Sequence, residues 1–343
     1  MTQKHSARFG VPEMAKPKIA LVTTGGTIGS KGKDSLDTFD YGAHGERYGP
    51  RELLDLFPEA ASVADVTPVD FGRISSSAIG PETWLELLAK VEDVAKGHDG
   101  IVITHGTASL EETAYFLHLA HKSQNTIVVI GAQRPSSGFA TDGGANLRNG
   151  LQVAGAPECK GMGVLTILNN EIQCAREVTK TSTYRLQTFR TPDMGMLGHA
   201  DPDDRISVYR KPTRRHAPNT EFNVAGRDSL PRVDIIYSYA GASGDQVAAV
   251  ISGGAEAIVM ATMPPGTPAP DQKRALQEAN AKGIPVIFSS RAGSGRVLDR
   301  SEYFNQGWIS ADNLNPQKAR ILTMMALTVS KETSELRRMF AEY

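Results

Sequence analysis

Two short segments combine hydroxyl side chains with glycines directly after a strand-like apolar run. They are Thr-Thr-Gly-Gly-Thr-Ile-Gly at 23–29 and Thr-His-Gly-Thr-Ala-Ser at 104–109. Two glycines after a strand let the backbone turn sharply and leave room for a substrate beside the hydroxyl of Thr27. Ligands of open α/β sheets bind at the carboxyl ends of parallel strands, where both segments would lie. The pattern favours a hydroxyl-based site, and a tight turn without chemistry is the alternative.

The second segment also carries the predicted start of a helix. Ser109 and Glu112 have the Ser-x-x-Glu spacing of a capping box, so we expect Ser109 to cap this helix rather than act as a nucleophile. Thr107 and Ala108 would then lie at a helix N-terminus, where free N–H groups and the helix dipole favour a carboxylate or an oxyanion. His105 follows a buried strand, and we interpret it as a structural histidine rather than a base.

Other kinds of site lack their sequence patterns. The chain has neither Gly-x-Gly-x-x-Gly spacing nor a P-loop, and its eight histidines show no His-Glu-x-x-His spacing. Nucleotide and metal sites are therefore not expected. Cys159 and Cys174 are the two cysteines, too few for a disulfide framework or for a thiolate metal site.

Composition restricts the class of protein. The 343 residues include 37 Lys+Arg and 38 Asp+Glu, a net charge of −1. Nucleic acids and anionic membranes select a basic excess, so neither is an expected partner. No apolar run reaches the roughly 18 residues of a membrane span, and the first 18 residues have no apolar core of a signal peptide. We therefore expect a cytoplasmic protein.

Strand and helix patterns alternate along most of the chain. Strand-length apolar runs occupy residues 18–22, 100–104 and 126–131. Their lack of polar alternation is typical of parallel strands buried on both faces. A helical stripe with i, i+3, i+4, i+7 spacing is formed by Trp84, Leu87, Leu88 and Val91. This alternation predicts a doubly wound α/β fold.

Two breaks in this rhythm suggest how the chain is divided. Residues 163–181 resemble a β-hairpin with its turn near Asn169–Asn170, where Lys180 alone would be a solvated hairpin lysine. Residues 201–232 are polar and aperiodic, and the last helix is predicted to start at Asn315–Pro316, an N-cap followed by proline. We expect a larger N-terminal and a smaller C-terminal α/β domain, with the linker between them. The predicted bounds are 1–205, 206–231 for the linker, and 232–343.

At these residues the sequence resembles the bacterial L-asparaginase/glutaminase family of threonine-nucleophile amidohydrolases. The resemblance covers nearly the whole chain and appears in family order. Its pieces are TTGGTIGS (23–30), THGTASLEETAYFL (104–117), GAQRPSS (131–137), EVTKT (177–181), SYAGASGD (238–245) and NLNPQKAR (313–320). The resemblance implies a larger nucleophile-bearing domain, a smaller second domain, a homotetramer built from close dimers, and no cofactor.

The resemblance also implies roles for particular residues. Thr27 is similar to the family's nucleophile, and Tyr41 to the tyrosine that assists it. Thr107 and Lys180 are similar to the second catalytic pair, and Ser76 to the residue that holds the substrate α-carboxylate. A threonine hydroxyl needs a neighbouring base to remove its proton, and a lysine with a lowered pKa can relay that proton.

Several positions depart from the family pattern. The family's His-Gly-Thr-Asp has Ala108 in place of the aspartate that contacts the α-ammonium, and Gly241 replaces an asparagine. Ser77 follows Ser76 where Gln, Glu, Asn or Ser is usual, and Arg300 stands where many members carry a glutamate near the neighbouring active site. Removing the buried carboxylate that pairs with a substrate ammonium typically weakens binding by about 2–5 kcal/mol.

Three functions stay open at this point. One is hydrolysis of the carboxamide of L-asparagine or an asparagine-like compound. The second is hydrolysis of an N-substituted, succinamate-like or cyclic amide, with Arg300 reaching an acidic or acylated group. The third is a catalytically impaired binding or sensor protein. We favour an enzyme because Thr27, Tyr41, Thr107 and Lys180 all persist.

Overall fold

The computed structural model describes residues 15–343, in which helices pack on an eight-stranded and a four-stranded β-sheet, and two further short strands form a separate pair. The prediction about an export signal rests on the start of the chain and lies outside the described residues. The strands are β1 (Lys18–Thr23), β2 (Asp65–Asp70), β3 (Gly100–Thr104), β4 (Thr126–Ile130), β5 (Val164–Leu168), β6 (Glu171–Cys174), β7 (Thr179–Lys180), β8 (Phe189–Arg190), β9 (Gly198–Ala200), β10 (Ile206–Val208), β11 (Val233–Tyr237), β12 (Ala257–Thr262), β13 (Val286–Ser290) and β14 (Ile309–Ser310). The helices are α1 (Pro50–Leu56), α2 (Pro81–Ala95), α3 (Leu110–Ala120), α4 (Gly143–Gly155), α5 (Asp245–Ser252), α6 (Pro270–Ala281), α7 (Ser301–Asn305), α8 (Pro316–Leu327) and α9 (Thr333–Glu342).

The larger, N-terminal sheet has the order β10-β9-β6-β5-β4-β3-β1-β2. Strands β1 to β5 run parallel, and β6, β9 and β10 extend the sheet with antiparallel pairs. Thr23 at the end of β1 pairs with Thr104 at the end of β3, and Thr104 pairs with Ile130 at the end of β4. The loops after these three strands therefore emerge at one edge, as open α/β sheets require for a ligand site.

Apolar side chains on both faces of this sheet explain its continuous strand runs. In β3, Ile101 and Ile103 enter one core cluster while Val102 enters the other. The helical stripe of α2 is confirmed, because Trp84, Leu87, Leu88 and Val91 are its buried residues. Burying a large apolar side chain of this kind stabilises the fold by about 1.5–3 kcal/mol.

The predicted hairpin is also confirmed. Strands β5 and β6 pair antiparallel, and Asn169 and Asn170 between them have φ values of 54° and 65°. Positive φ at both central residues is typical of the type I′ turns that suit two-residue hairpins. After this hairpin, β7 pairs with β8 and sets Lys180 opposite Phe189.

The smaller sheet consists of four parallel strands in the order β11-β12-β13-β14. Helix α8 packs against α3 and joins the two halves of the molecule. It starts as predicted, because the Asn315 side chain accepts a hydrogen bond from the backbone N–H of Lys318 at 3.0 Å, and Pro316 is its first residue. The expected two-part α/β fold is thus confirmed. Between the sheets, residues 209–232 contain no strand or helix, although Phe222 and Val224 are buried.

Candidate active site

Thr27 begins a short 3-10 helix immediately after β1. The two preceding residues, Gly25 and Gly26, have φ values of 112° and 85°, which disfavour any other residue type. A Cβ atom on Gly26 would lie 2.3 Å from the backbone nitrogen of Gly106. The loop after β1 and the loop after β3 therefore touch through two glycines, and this contact fixes Thr27 relative to Thr107.

The hydroxyl of Thr27 forms a hydrogen bond with the phenol of Tyr41, with 2.8 Å between the oxygens. Tyr41 belongs to the loop between β1 and α1, which rests on the loop after β4. The backbone N–H of Gly32 donates to the Ser137 hydroxyl at 2.7 Å, and the N–H of Phe139 donates to the carbonyl of Ser35 at 2.6 Å. These bonds hold the tyrosine loop over the end of the sheet.

A second pair, a threonine hydroxyl and a lysine amine, lines the same space. Lys180 Nζ donates a hydrogen bond to Thr107 Oγ1 at 2.7 Å, and Thr107 is buried. Burial lowers the pKa of Lys180 below its ordinary value of 10.5. Within residues 15–343, no carboxylate lies within 4.0 Å of its ammonium nitrogen, so no ion pair opposes that shift.

Both pairs open into one cavity of about 460 Å³. Its lining residues are Thr27, Thr38, Phe39, Tyr41, Thr107, Gln133, Lys180, Thr183 and Tyr184. The Thr27–Tyr41 pair and the Thr107–Lys180 pair therefore share a single space. A nucleophile with a nearby proton acceptor is the arrangement that covalent amide hydrolysis needs.

Ser109 is the N-cap residue of α3, as predicted, but the expected side-chain capping hydrogen bonds with Glu112 do not form. Its hydroxyl donates to the backbone carbonyl of Ser76 at 2.6 Å, and its side chain accepts no capping hydrogen bond from the described helix. The carbonyl of Ser76 is presented by a 3-10 turn at residues 76–78 that packs against Gly106, so it competes for the hydroxyl. Ser109 thereby ties Ser76 to the start of α3. Ser77 is exposed, with its hydroxyl 2.9 Å from that of Ser75.

The positions that depart from the family pattern are not among the residues that line this cavity in the described chain, although Ala108 directly follows the lining residue Thr107. Ala108 is exposed between the buried Thr107 and Ser109. Gly241 has a φ of 77°, and no heavy atom of the described residues lies within 4 Å of where its Cβ would be. Arg300 precedes α7, with its guanidinium carbon 5.6 Å from the centre of the Tyr303 ring.

His105 has satisfied ring nitrogens, as we expected for a structural residue. Trp84 Nε1 donates to Thr113 Oγ1 at 2.9 Å, and that hydroxyl lies 2.8 Å from His105 Nε2. Because the Thr113 hydroxyl accepts from Trp84, it donates its own hydrogen bond to His105 Nε2, and His105 Nδ1 donates to the Gly106 carbonyl at 2.8 Å. Burial lowers the His105 pKa to about 4, so the ring is neutral near pH 7.

Gln133 is a cavity residue that the sequence analysis missed. It follows β4, whose end lies beside the end of β3, and its backbone N–H donates to the Asp142 carboxylate at 2.9 Å and 3.1 Å. Its side-chain nitrogen Nε2 is buried without a hydrogen-bond partner among residues 15–343. The position of GAQRPSS after a third parallel strand could have identified it. Phe39 and Tyr184 had no comparable pattern.

Residues 15–343 lack two further features. They contain no cluster of three or more His, Cys, Asp or Glu side chains suited to a metal ion. No helix in this range combines the length and apolar character needed to cross a membrane.

Comparison with known proteins identifies the family. The family model for the N-terminal domain of asparaginase matches residues 18–214, and the model for the glutaminase/asparaginase C-terminal domain matches residues 232–340. L-asparaginase 2 of Bacillus subtilis is 37% identical over 344 residues, covering 100% of this chain and 91% of the relative. The glutaminase-asparaginase of Pseudomonas fluorescens is 38% identical over 95% of this chain and 90% of its own.

A solved structure agrees with the sequence relatives. A crystal structure described as a probable cytoplasmic L-asparaginase from Campylobacter jejuni has a TM-score of 0.91 and 37% identity. The match covers 96% of this chain and 100% of that one. The predicted family is thereby confirmed: the chain belongs to the asparaginase family of amidohydrolases.

Proposed function

We propose that this protein hydrolyses the carboxamide of L-asparagine or an asparagine-like compound by acyl transfer through Thr27. The observation that supports this most strongly is the placement of the Thr27–Tyr41 and Thr107–Lys180 pairs in one cavity. The names of the relatives, L-asparaginase and glutaminase-asparaginase, support the same class of substrate. The proposal is tested with a panel of amides, by measuring ammonia release from primary amides, amine release from N-substituted amides and ring opening of cyclic amides.

The proposed reaction has two halves. Thr27 Oγ1 attacks the carbonyl carbon and gives its proton to the Tyr41 phenol, which passes its own proton on to the leaving nitrogen. The C–N bond then breaks, and the amine leaves with that proton. Water then attacks the acyl-enzyme, and the carboxylate departs as Thr27 regains its proton. The Thr107–Lys180 pair supplies and accepts protons. Backbone N–H groups at the Thr27 loop and at the start of α3 stabilise the tetrahedral oxyanion.

Free L-asparagine is expected to be a poor substrate, because Ala108 and Gly241 offer no charged partner to its ammonium. Ala108→Asp is expected to raise kcat/KM for L-asparagine. The gain is bounded by the roughly 2–5 kcal/mol of such a charge pair, a factor of roughly 30 to several thousand. Steady-state kinetics measure it.

Ala108→Asn is the matched control, because it has the same size as aspartate without the charge. An equal gain from both variants would assign the effect to shape rather than charge. Efficient turnover of L-asparagine by the unmodified protein, at the level of ordinary asparaginases, would contradict the weak-ammonium prediction outright.

Arg300 can reach a substrate only in the cavity of another subunit, because it does not line the cavity of its own described chain. A planar guanidinium there would favour a carboxylate or an acyl oxygen. Arg300→Ala is expected to raise KM for an acidic or acylated amide with little change for a neutral one. Arg274→Ala, whose guanidinium pairs with Asp271 on the surface, is the control. Unchanged KM values for every amide would mark Arg300 as surface only.

We further propose a homo-oligomer, a tetramer or a dimer, located in the cytoplasm. The family resemblance and the absence of Gly241 and Arg300 from the lining of the cavity in the described chain support an assembly that completes the site. The cytoplasmic description of the Campylobacter relative supports the compartment. Sedimentation velocity and cell fractionation test the two statements separately.

A further inference from the structure

Two exposed aromatic side chains stand at the mouth of the catalytic cavity. Phe39 is 91% exposed and Tyr184 is 76% exposed, yet both line the same cavity as Thr27 and Lys180. Phe39 lies two residues before Tyr41 on one loop, and Tyr184 lies four residues after Lys180 on another. Each ring is therefore carried by the loop that also carries one of the proposed catalytic partners.

The fold leaves these rings without aromatic partners. Within residues 15–343, neither Phe39 nor Tyr184 takes part in a stacked, tilted or edge-on ring pair or in a cation–π contact. Covering an exposed aromatic ring with another apolar group is favourable in proportion to the area removed from water. An apolar group that enters the cavity mouth would gain this free energy.

The direction of the substrate follows from the depth of the other residues. Ser76, which the resemblance assigns to the carboxylate end of the substrate, is buried and packs against Gly106, the residue before Thr107, whereas the exposed rings of Phe39 and Tyr184 lie on the solvent side. The scissile carbonyl must lie at Thr27, so the amide nitrogen points away from Ser76 and toward the mouth. A cavity of about 460 Å³ falls in the range that holds drug-sized ligands, roughly 300–1,000 Å³. A primary carboxamide leaves most of this space empty.

We propose that Phe39 and Tyr184 form a subsite for an aryl substituent on the amide nitrogen, so that the enzyme takes N-aryl monoamides of four-carbon dicarboxylic acids. This inference rests on the proposed function and names the substrate class of that same site. The chemistry is unchanged: the bond from Thr27 Oγ1 to the acyl carbon forms, the C–N bond breaks, and the arylamine leaves with a proton in place of ammonia. Water then releases the dicarboxylate.

The test compares succinamate with its N-phenyl derivative, which differ only in the substituent. We expect Phe39→Ala combined with Tyr184→Ala to lower the ratio of kcat/KM values, N-phenyl over primary, by about tenfold or more, the scale of losing an apolar contact in a specificity pocket. Tyr209→Ala is the matched control, because Tyr209 is also 76% exposed and does not line the cavity. It should leave the ratio unchanged.

The outcomes separate the subsite from the proposed function. An unchanged ratio in the double variant would overturn the subsite. An equal fall in kcat/KM for both amides would overturn it too, because the rings would then contribute nothing specific to the aryl group. Binding of both amides to Thr27→Ala, measured by calorimetry, gives a readout without turnover. The unmodified enzyme could hydrolyse neither amide while Thr27→Ala still binds the N-phenyl form more tightly than succinamate, and loses that preference when Phe39 and Tyr184 are also replaced by alanine. In that case the subsite stands and the hydrolytic proposal fails. No preference in binding or turnover overturns the subsite alone.

Discussion

Thr27→Ala is expected to lower turnover of the best amide by at least ~10³-fold, as for the loss of a covalent residue. The fold should persist, because the turn is held by backbone hydrogen bonds that alanine retains. The N–H of Gly29 donates to the Gly26 carbonyl at 3.0 Å, and the N–H of Ser30 donates to the Thr27 carbonyl at 3.0 Å. Circular dichroism and thermal melting check the fold, and steady-state ammonia release measures the loss.

Thr38→Ala is the matched control. Thr38 lines the same cavity, but the phenol of Tyr41 forms its hydrogen bond with Thr27 and not with Thr38. We expect it to retain far more activity than Thr27→Ala. Mass spectrometry of the quenched wild-type enzyme should find the acyl group on the peptide that contains Thr27. A correctly folded Thr27→Ala protein with more than about a tenth of wild-type activity would remove Thr27 as the nucleophile.

Lys180→Met is the second large loss that we expect, about 10²- to 10⁴-fold in kcat/KM, the usual contribution of a positioned proton-transfer group. Because Lys180 acts through Thr107, the change in the pH profile of kcat/KM is more diagnostic than the size of the loss in kcat/KM. Burial lowers the pKa of Lys180 below 10.5, which enlarges the neutral fraction at any given pH. Neutral amine accepts a proton, so kcat/KM should rise with pH along a limb whose midpoint lies below 10.5. Lys180→Met should lose that limb.

Lys180→Arg separates charge from proton transfer. Arginine keeps the positive charge but stays protonated, so it should be as inactive as methionine and should also lack the limb. Lys33→Met, on the exposed tyrosine loop, should leave the pH profile unchanged. A Lys180→Arg variant with near-normal activity and an intact limb would show that position 180 only provides charge.

The sequence predicts the local elements well because their determinants are local. The apolar spacing from Trp84 to Val91, the paired asparagines 169 and 170, and the Asn315–Pro316 cap each depend on residues within a few positions. The antiparallel extension of the large sheet by β9 and β10 could not be predicted in this way. Those strands have three residues each. Strand β10 pairs with β9, and β9 joins the sheet by pairing with β6, a strand more than twenty residues earlier in the chain.

In the candidate site, too, local sequence patterns predict some residues, and others depend on contacts between distant segments. Thr27 and Thr107 stand after strands with strong apolar runs, so their common edge is predictable from the α/β pattern. Ser109 has the spacing of a cap but donates its hydroxyl to Ser76, 33 residues earlier, which no local spacing indicates. Phe39 and Tyr184 become cavity residues only because two loops converge, and aromatic residues in loops have no distinguishing period.

Because Gly26 contacts Gly106, the loop after β1 and the loop after β3 must be transferred together when the site is engineered into another protein. A Cβ on Gly26 would collide with the backbone of Gly106, and a Cβ on Gly106 would collide with the side chain of Ser76. A graft that moves only one loop into another scaffold would therefore meet a surface of the wrong shape. The smallest portable piece is both loops together with β1 and β3, in the register that pairs Thr23 with Thr104.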